Sequence, residues 1–141
     1  MHINKFNSEG YYDPTAYEAL TTIEKEAKAL YAFRPIVYIC SPLSGDVEQN
    51  QENACRFCRF AVDSGYIPIA PHLFFPQFMN DSSRRERNLA LFMDIVLLSK
   101  CAELWVFGDT VSKGMSIEIE KARRKGQPIR RFTADCKEVR E

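Results

Sequence analysis

The chain has no surplus of charge: its 141 residues carry 19 basic and 19 acidic side chains, a formal net charge of zero. No global field therefore draws it toward nucleic acid or an anionic membrane, and any anion it binds must be held by local geometry. Long apolar runs are also missing. None approaches the roughly 20 residues that span a bilayer, and the polar opening Met1-His2-Ile3-Asn4-Lys5 has no signal-peptide core. These absences predict a cytoplasmic protein with neither a membrane nor a nucleic-acid polymer as partner. Histidine is scarce, only His2 and His72, and the five cysteines (Cys40, Cys55, Cys58, Cys101, Cys136) have no framework spacing. An odd count of this kind fits free thiols in a reducing compartment. Cys55 and Cys58 form a CxxC pair, half of many zinc sites, but no second pair exists and both fall inside an apparent helix. No metal and no other cofactor is expected. Internal repeats and low-complexity segments are absent, and the length suits a single domain that buries its core without staples.

What is present alternates. Asp13-Pro14 is good cap and first-turn chemistry, and Ala16, Leu20, Ile23, Ala27 and Leu30 recur at helical spacing, so residues 14–32 should form an amphipathic helix docked on the body or on a partner subunit. Ile36-Val37-Tyr38-Ile39-Cys40 reads as a buried strand leaving at Ser41-Pro42-Leu43-Ser44-Gly45. Ala54, Phe57, Cys58 and Ala61 mark a crossover helix over residues 47–64 that Gly65 ends. Tyr66-Ile67-Pro68-Ile69-Ala70 is a short strand whose proline suits an edge or a strand start. An aromatic loop covers residues 73–80, and a helix over 83–98 turns Leu89, Phe92, Met93, Val96 and Leu97 inward. Glu103-Leu104-Trp105-Val106-Phe107 is the next strand, a helix begun near Gly114 runs to Gly126, and Pro128-Ile129-Arg130-Arg131-Phe132 is the last strand. Alternating strands and helices imply right-handed βαβ units. The expected fold is single-domain α/β: a Rossmann-like or flavodoxin-like three-layer α/β/α arrangement with a mostly parallel sheet of 4–5 strands, plus the N-terminal amphipathic helix. The divisions are a 1–34 extension, a 35–133 domain and a 134–141 tail.

In open α/β sheets ligands bind beyond the carboxyl ends of the strands. That selects the segments after Cys40, Ala70, Phe107 and Phe132. Ser112 and Gly114 open a helix whose free N–H groups and dipole favour a phosphate or carboxylate, and Glu118 lies about one turn further on. An ordinary capped helix with a solvated Glu118 explains the same spacing. His72 is placed either to donate to a base or to tie its loop down. Asp94, between Met93 and Ile95 on an apolar helix, needs a partner or a function. Arg84, Arg85 and Arg87 are a solvated helix start or a phosphate clamp.

Tyr38-Ile39-Cys40-Ser41-Pro42-Leu43-Ser44-Gly45, the crossover helix, Pro68-Ile69-Ala70-Pro71-His72 and Ser112-x-Gly114-Met115-x-x-Glu118 together resemble the nucleoside 2-deoxyribosyltransferase-like superfamily, in its small DUF4406 or DUF7768 branch. The resemblance covers residues 35–133. It implies that Glu118 attacks C1′ of a deoxyribosyl group and expels the base, leaving a glycosyl-enzyme for water or a second base to resolve. Ser112 stands where the transferases carry Asp, and so resembles the 2′-deoxynucleoside 5′-monophosphate N-hydrolases, whose Ser-x-Gly segment holds the 5′-phosphate. Tyr38, Ser41, Pro42, Ser44, Gly45, Ser112, Gly114 and Met115 are then the substrate contacts, and His72 or Asp94 the proton donor or orienter. Relatives commonly begin the third strand with Cys-Asp or Ala-Asp, that Asp serving the sugar or the base. Cys101-Ala102-Glu103 lacks it, and Glu103 should face the other side of the sheet. The resemblance thus implies an N-glycosidase, hydrolase or deoxyribosyltransferase-like, acting on a nucleoside 5′-monophosphate or related N-ribosyl nucleotide, in a homodimer or higher homo-oligomer. The alternatives are a non-catalytic nucleotide or ADP-ribose-like binder with a sequestering role, and a partner-binding domain.

Overall fold

The computed structural model describes residues 14–140. They fall into two compact units divided between Phe33 and Arg34. The first is the helix α1 (Pro14–Leu30), which begins on a proline whose fixed φ suits a first helical position and carries a Glu24–Lys28 pair at 3.8 Å. The cap expected at Asp13 lies outside the described residues.

The second unit is a five-stranded sheet between helices. Its elements are β1 (Ile36–Cys40), α2 (Val47–Asp63), β2 (Ile67–Ile69), α3 (Arg84–Ser99), β3 (Glu103–Phe107), α4 (Lys113–Lys125), β4 (Ile129–Phe132) and β5 (Glu138–Val139). The strand order is β2-β1-β3-β4-β5, the first four parallel and β5 antiparallel to β4. Strands alternate their side chains between faces, and both faces here are apolar. Tyr38, Cys40, Leu104 and Val106 meet Leu98 of α3 and Met115, Ile119 and Ala122 of α4. Val37, Ile39, Trp105, Phe107 and Phe132 meet Phe57 and Ala61 of α2. Phe107 stacks between Phe57, at 4.2 Å, and Phe132, at 5.0 Å. Truncating such a ring to alanine costs about 3–5 kcal/mol.

Each helix of the body starts on a side-chain oxygen that accepts a backbone N–H: Asp46 from Gln49 at 3.1 Å, Ser83 from Glu86 at 3.4 Å and Ser112 from Met115 at 3.2 Å. Gly126 closes α4 in the left-handed region at φ 73°, as a C-terminal glycine does. Pro68 sits on β2, the edge strand, where its missing N–H disrupts least.

Three expectations are corrected. The aromatic loop after β2 contains two short 3₁₀ turns, Pro71–Leu73 and Phe75–Gln77. Phe132 does not end the sheet: Thr133 accepts from Asp135 and Lys137 through its hydroxyl, turning the supposed tail back so that β5 pairs with β4. On α3 the inward residue is Leu98, supported by Ile95 and Leu97, while Leu89, Phe92 and Val96 are exposed. This helix is apolar almost all round from Leu89 to Leu98, so its periodicity does not specify a face.

Candidate active site

From β1 the chain crosses to β2 on one side and returns to place β3 on the other, so the connections after β1 and β3 diverge. The crevice at such a switch in strand order is where open α/β sheets bind ligands. Ser41 follows β1 at its floor, Gly108 (φ 91°) ends β3, and α4 begins just beyond.

Glu118 lies beneath this crevice on the inner face of α4, only 8% exposed. It faces β1, where the two-residue repeat directs Tyr38 and Cys40 to the same side. The Cys40 thiol donates to Oε1 at 3.6 Å, and the Tyr38 hydroxyl also donates toward the carboxylate. Burial pushes Glu118 up to about 7; the Tyr38 and Cys40 donors pull it down, and the negative charge of Asp94 adds to the rise. Burial, then the Glu118 charge, drive the Tyr38 phenol and the Cys40 thiol upward as well, so both stay protonated and act as donors.

Asp94 reaches the same region from α3. Burial raises it to about 6, and its Oδ1 is buried with no hydrogen-bond partner among the described residues. An unmet buried carboxylate oxygen is costly, and water, a ligand or a proton on the carboxyl group relieves that cost. Asp94 and His72 line one cavity together with Leu43, Phe75 and Met79. His72 Nε2 lies 3.1 Å from Ser41 Oγ, and burial lowers its imidazole to about 4, so the ring is neutral at pH 7.

At the start of α4 the Ser112 hydroxyl accepts from Met115, and Ser116 N–H reaches the Ser112 carbonyl at 2.9 Å. The first two N–H groups of the helix, those of Lys113 and Gly114, have no intrahelical acceptor, and both residues are exposed. A Cβ built on Gly114 would meet nothing within 4 Å. The fold itself therefore does not require glycine there, whereas a ligand lying against the backbone would.

The remaining expected contacts separate. Ser41 and Pro42 line a second small cavity on the α2 side, with Asn50, Asn53 and Thr110. Ser44 and Gly45 are exposed in the loop, where Asn50 holds the Leu43 and Ser44 carbonyls at 3.1 and 2.8 Å. Met115 is not presented to the crevice: its side chain is buried in the core and its N–H is taken by Ser112. Ala102 changes meaning. It sits at the amino end of β3, its N–H bonded to the Ile36 carbonyl at 2.7 Å. At about 3.3 Å per residue this is roughly 16 Å from the carboxyl end of the strand, so the missing carboxylate takes nothing from the crevice. Glu103 does face the α2 side, accepting from Trp105 Nε1 at 2.8 Å.

Sequence reasoning passed over Cys40 as a donor, although the alternation that places Tyr38 places Cys40 too. It also left out Glu86, which lines the Asp94 cavity. The Ser83-x-x-Glu86 pattern of a capping box was the available signal for that position.

A parallel sheet with a crevice at the β1/β3 switch and two carboxylates, Glu118 and Asp94, below it defines an open α/β domain with a candidate site at that switch. A family model covers residues 35–132, and the chain belongs to that family, the domain of unknown function DUF7768. No curated protein matches its sequence. The fold is that of 2-deoxyribosyltransferases: a solved 2-deoxyribosyltransferase from the psychrotolerant bacterium Bacillus psychrosaccharolyticus superposes with a TM-score of 0.54 at 18% identity, over 70% of this chain and 72% of that one. No helix among the described residues is long and apolar enough to cross a membrane.

Proposed function

We propose that the protein is an N-glycosidase acting on a nucleoside 5′-monophosphate or related N-ribosyl nucleotide, with Glu118 as nucleophile and Asp94 as proton donor. The observation that carries this reading is the pair itself: a buried Glu118 held by Tyr38 and Cys40, and an Asp94 oxygen with no partner beside an open cavity. The fold shared with a 2-deoxyribosyltransferase supports it. The 5′-phosphate lies on the Lys113 and Gly114 N–H groups with the Ser112 hydroxyl, where the helix start favours an anion. The sugar lies over Glu118, and the base extends toward Asp94 and His72.

In the first step a Glu118 oxygen forms a bond to C1′ as the C1′–N bond breaks, through an oxocarbenium-like transition state, while Asp94 gives its proton to the departing base. Tyr38 and Cys40 hold the carboxylate in line and neutralise part of its charge. In the second step ionised Asp94 takes a proton from water, which attacks C1′ and releases Glu118. A second base in place of water would make the same site a transferase. His72, neutral and tied to Ser41, orients the base by a hydrogen bond rather than supplying a proton.

The test is incubation with a panel of deoxynucleoside 5′-monophosphates and chromatography for free base. Base release abolished by Glu118→Ala is expected, and release that survives it overturns the nucleophile. Binding without release favours the sequestering alternative. The exposed apolar residues Leu89, Phe92 and Val96 on α3 support a homodimer or higher homo-oligomer; a monomeric mass in solution would exclude it.

A further inference from the structure

The cavity beside Asp94 has two kinds of wall. Leu43, Pro71 and Phe75 give it an apolar lining, and Asp81, Glu86 and Arg87 stand at its polar side. Glu86 is held in place: its N–H is bonded by the cap Ser83 at 3.4 Å, and its Oε1 lies 3.5 Å from the Asn80 N–H, leaving Oε2 uncommitted. Arg87, the next residue on α3, is exposed, and its guanidinium has no partner among the described residues. An acceptor and a free donor, adjacent on α3, therefore line the same cavity as Asp94, which follows Glu86 by eight residues on that helix, roughly 12 Å at 1.5 Å per residue.

This inference rests on the proposed function, which puts the phosphate at the start of α4 and C1′ over Glu118. The base bonded to C1′, placed next to its proton donor Asp94, then extends into the cavity that Asp94 lines. Flat apolar walls suit any base, so selection falls to the polar end. A carboxylate takes two neighbouring N–H donors bidentately, and a guanidinium takes a carbonyl oxygen. Guanine presents O6, N1–H and the N2 amino group in a row. Adenine and cytosine set a ring-nitrogen lone pair against the carboxylate, and thymine offers it a single N–H between two carbonyls. We propose that this cavity is the base subsite and that Glu86 and Arg87 make it selective for guanine.

The experiment compares 2′-deoxyguanosine, 2′-deoxyinosine, 2′-deoxyadenosine and thymidine 5′-monophosphates, each by kcat/KM for base release and by Kd on the Glu118→Gln variant. The inosine nucleotide differs from the guanosine one only by the missing 2-amino group. The wild type should favour guanosine over inosine by about tenfold or more, the scale of one hydrogen bond to a charged group. Glu86→Gln should bring the two within about twofold, and Arg87→Met should weaken both alike, since both keep O6. Because the readout is a ratio between two substrates on one protein, partial misfolding of a variant does not alter it. Equal handling of the two nucleotides, or preference for thymidine, overturns the inference while leaving the glycosidase reading intact. Guanine-selective binding without base release does the reverse. Neither release nor selective binding overturns both.

Discussion

The pH dependence of base release tests the two carboxylates most severely. Glu118 is pushed up to about 7 and Asp94 to about 6, yet the chemistry needs Glu118 ionised and Asp94 protonated. That is the reverse of the order in which they give up protons. Midway between the two values, near pH 6.5, a pair with these values spends only about one part in twenty in the productive pattern. The kcat/KM profile of the free enzyme should then be a narrow bell with limbs near pH 6 and pH 7. Asp94→Asn removes the acid and also the charge that helps hold Glu118 up. Its activity should fall by about 10²–10⁴, and what is left should rise once with pH, through a midpoint below 7. Initial rates of base release at constant ionic strength measure both profiles. A wild-type profile with one limb, or a bell that persists in Asp94→Asn, would refute the assignment.

Burial of Glu118 has a stability signature of its own. Its pKa rises from 4.5 to about 7, so the folded chain keeps a proton that the unfolded chain releases. Stability should decline as pH climbs from 4.5 to 7 and level off above. Glu118→Gln should cancel that decline, adding about 3 kcal/mol at pH 8, or roughly 9–12 °C in Tm, and little at pH 4. A Tm difference that does not grow with pH contradicts this. Cys40→Ala removes a donor that holds Glu118 down, so the upper limb of the rate profile should move to higher pH and the maximum should fall; an unshifted limb would make the thiol mere packing. Ser112→Ala should cost about 1 kcal/mol as a lost helix cap and weaken a nucleoside monophosphate more than its nucleoside. Equal loss for the two in calorimetric titration would remove the phosphate from that loop.

Much of this was legible because the sheet imposes a strict period. Ile36 to Cys40 and Leu104 to Phe107 are apolar on both faces, as a covered parallel strand is, and Pro68 marked its own strand as an edge or a strand start, of which the structure has the edge. The start of α4 was legible from Ser112 and Gly114, since cap chemistry is local. The face of α3 was not, because an almost uniformly apolar helix has no preferred side. β5, two exposed residues held by the Thr133 turn, carries no pattern at all. Within the site, Asp94 could be singled out as a carboxylate in apolar company and Glu118 by its place one turn past the start of α4, but their electrostatic coupling depends on α3 and α4 packing side by side. Ala102 misled because position along a strand, rather than the face it occupies, decides which end of the sheet a residue reaches.

The central claim, a covalent step at Glu118, is tested most directly by trapping. A 2′-fluoroarabinosyl nucleoside monophosphate slows the second step through its electron-withdrawing fluorine, so the glycosyl-enzyme accumulates. Intact-protein mass spectrometry should then find the chain heavier by one fluorinated sugar phosphate, with the added mass mapping to the peptide that contains Glu118 and absent from Glu118→Gln. Base release with no adduct, or an adduct on any other residue, would contradict the account.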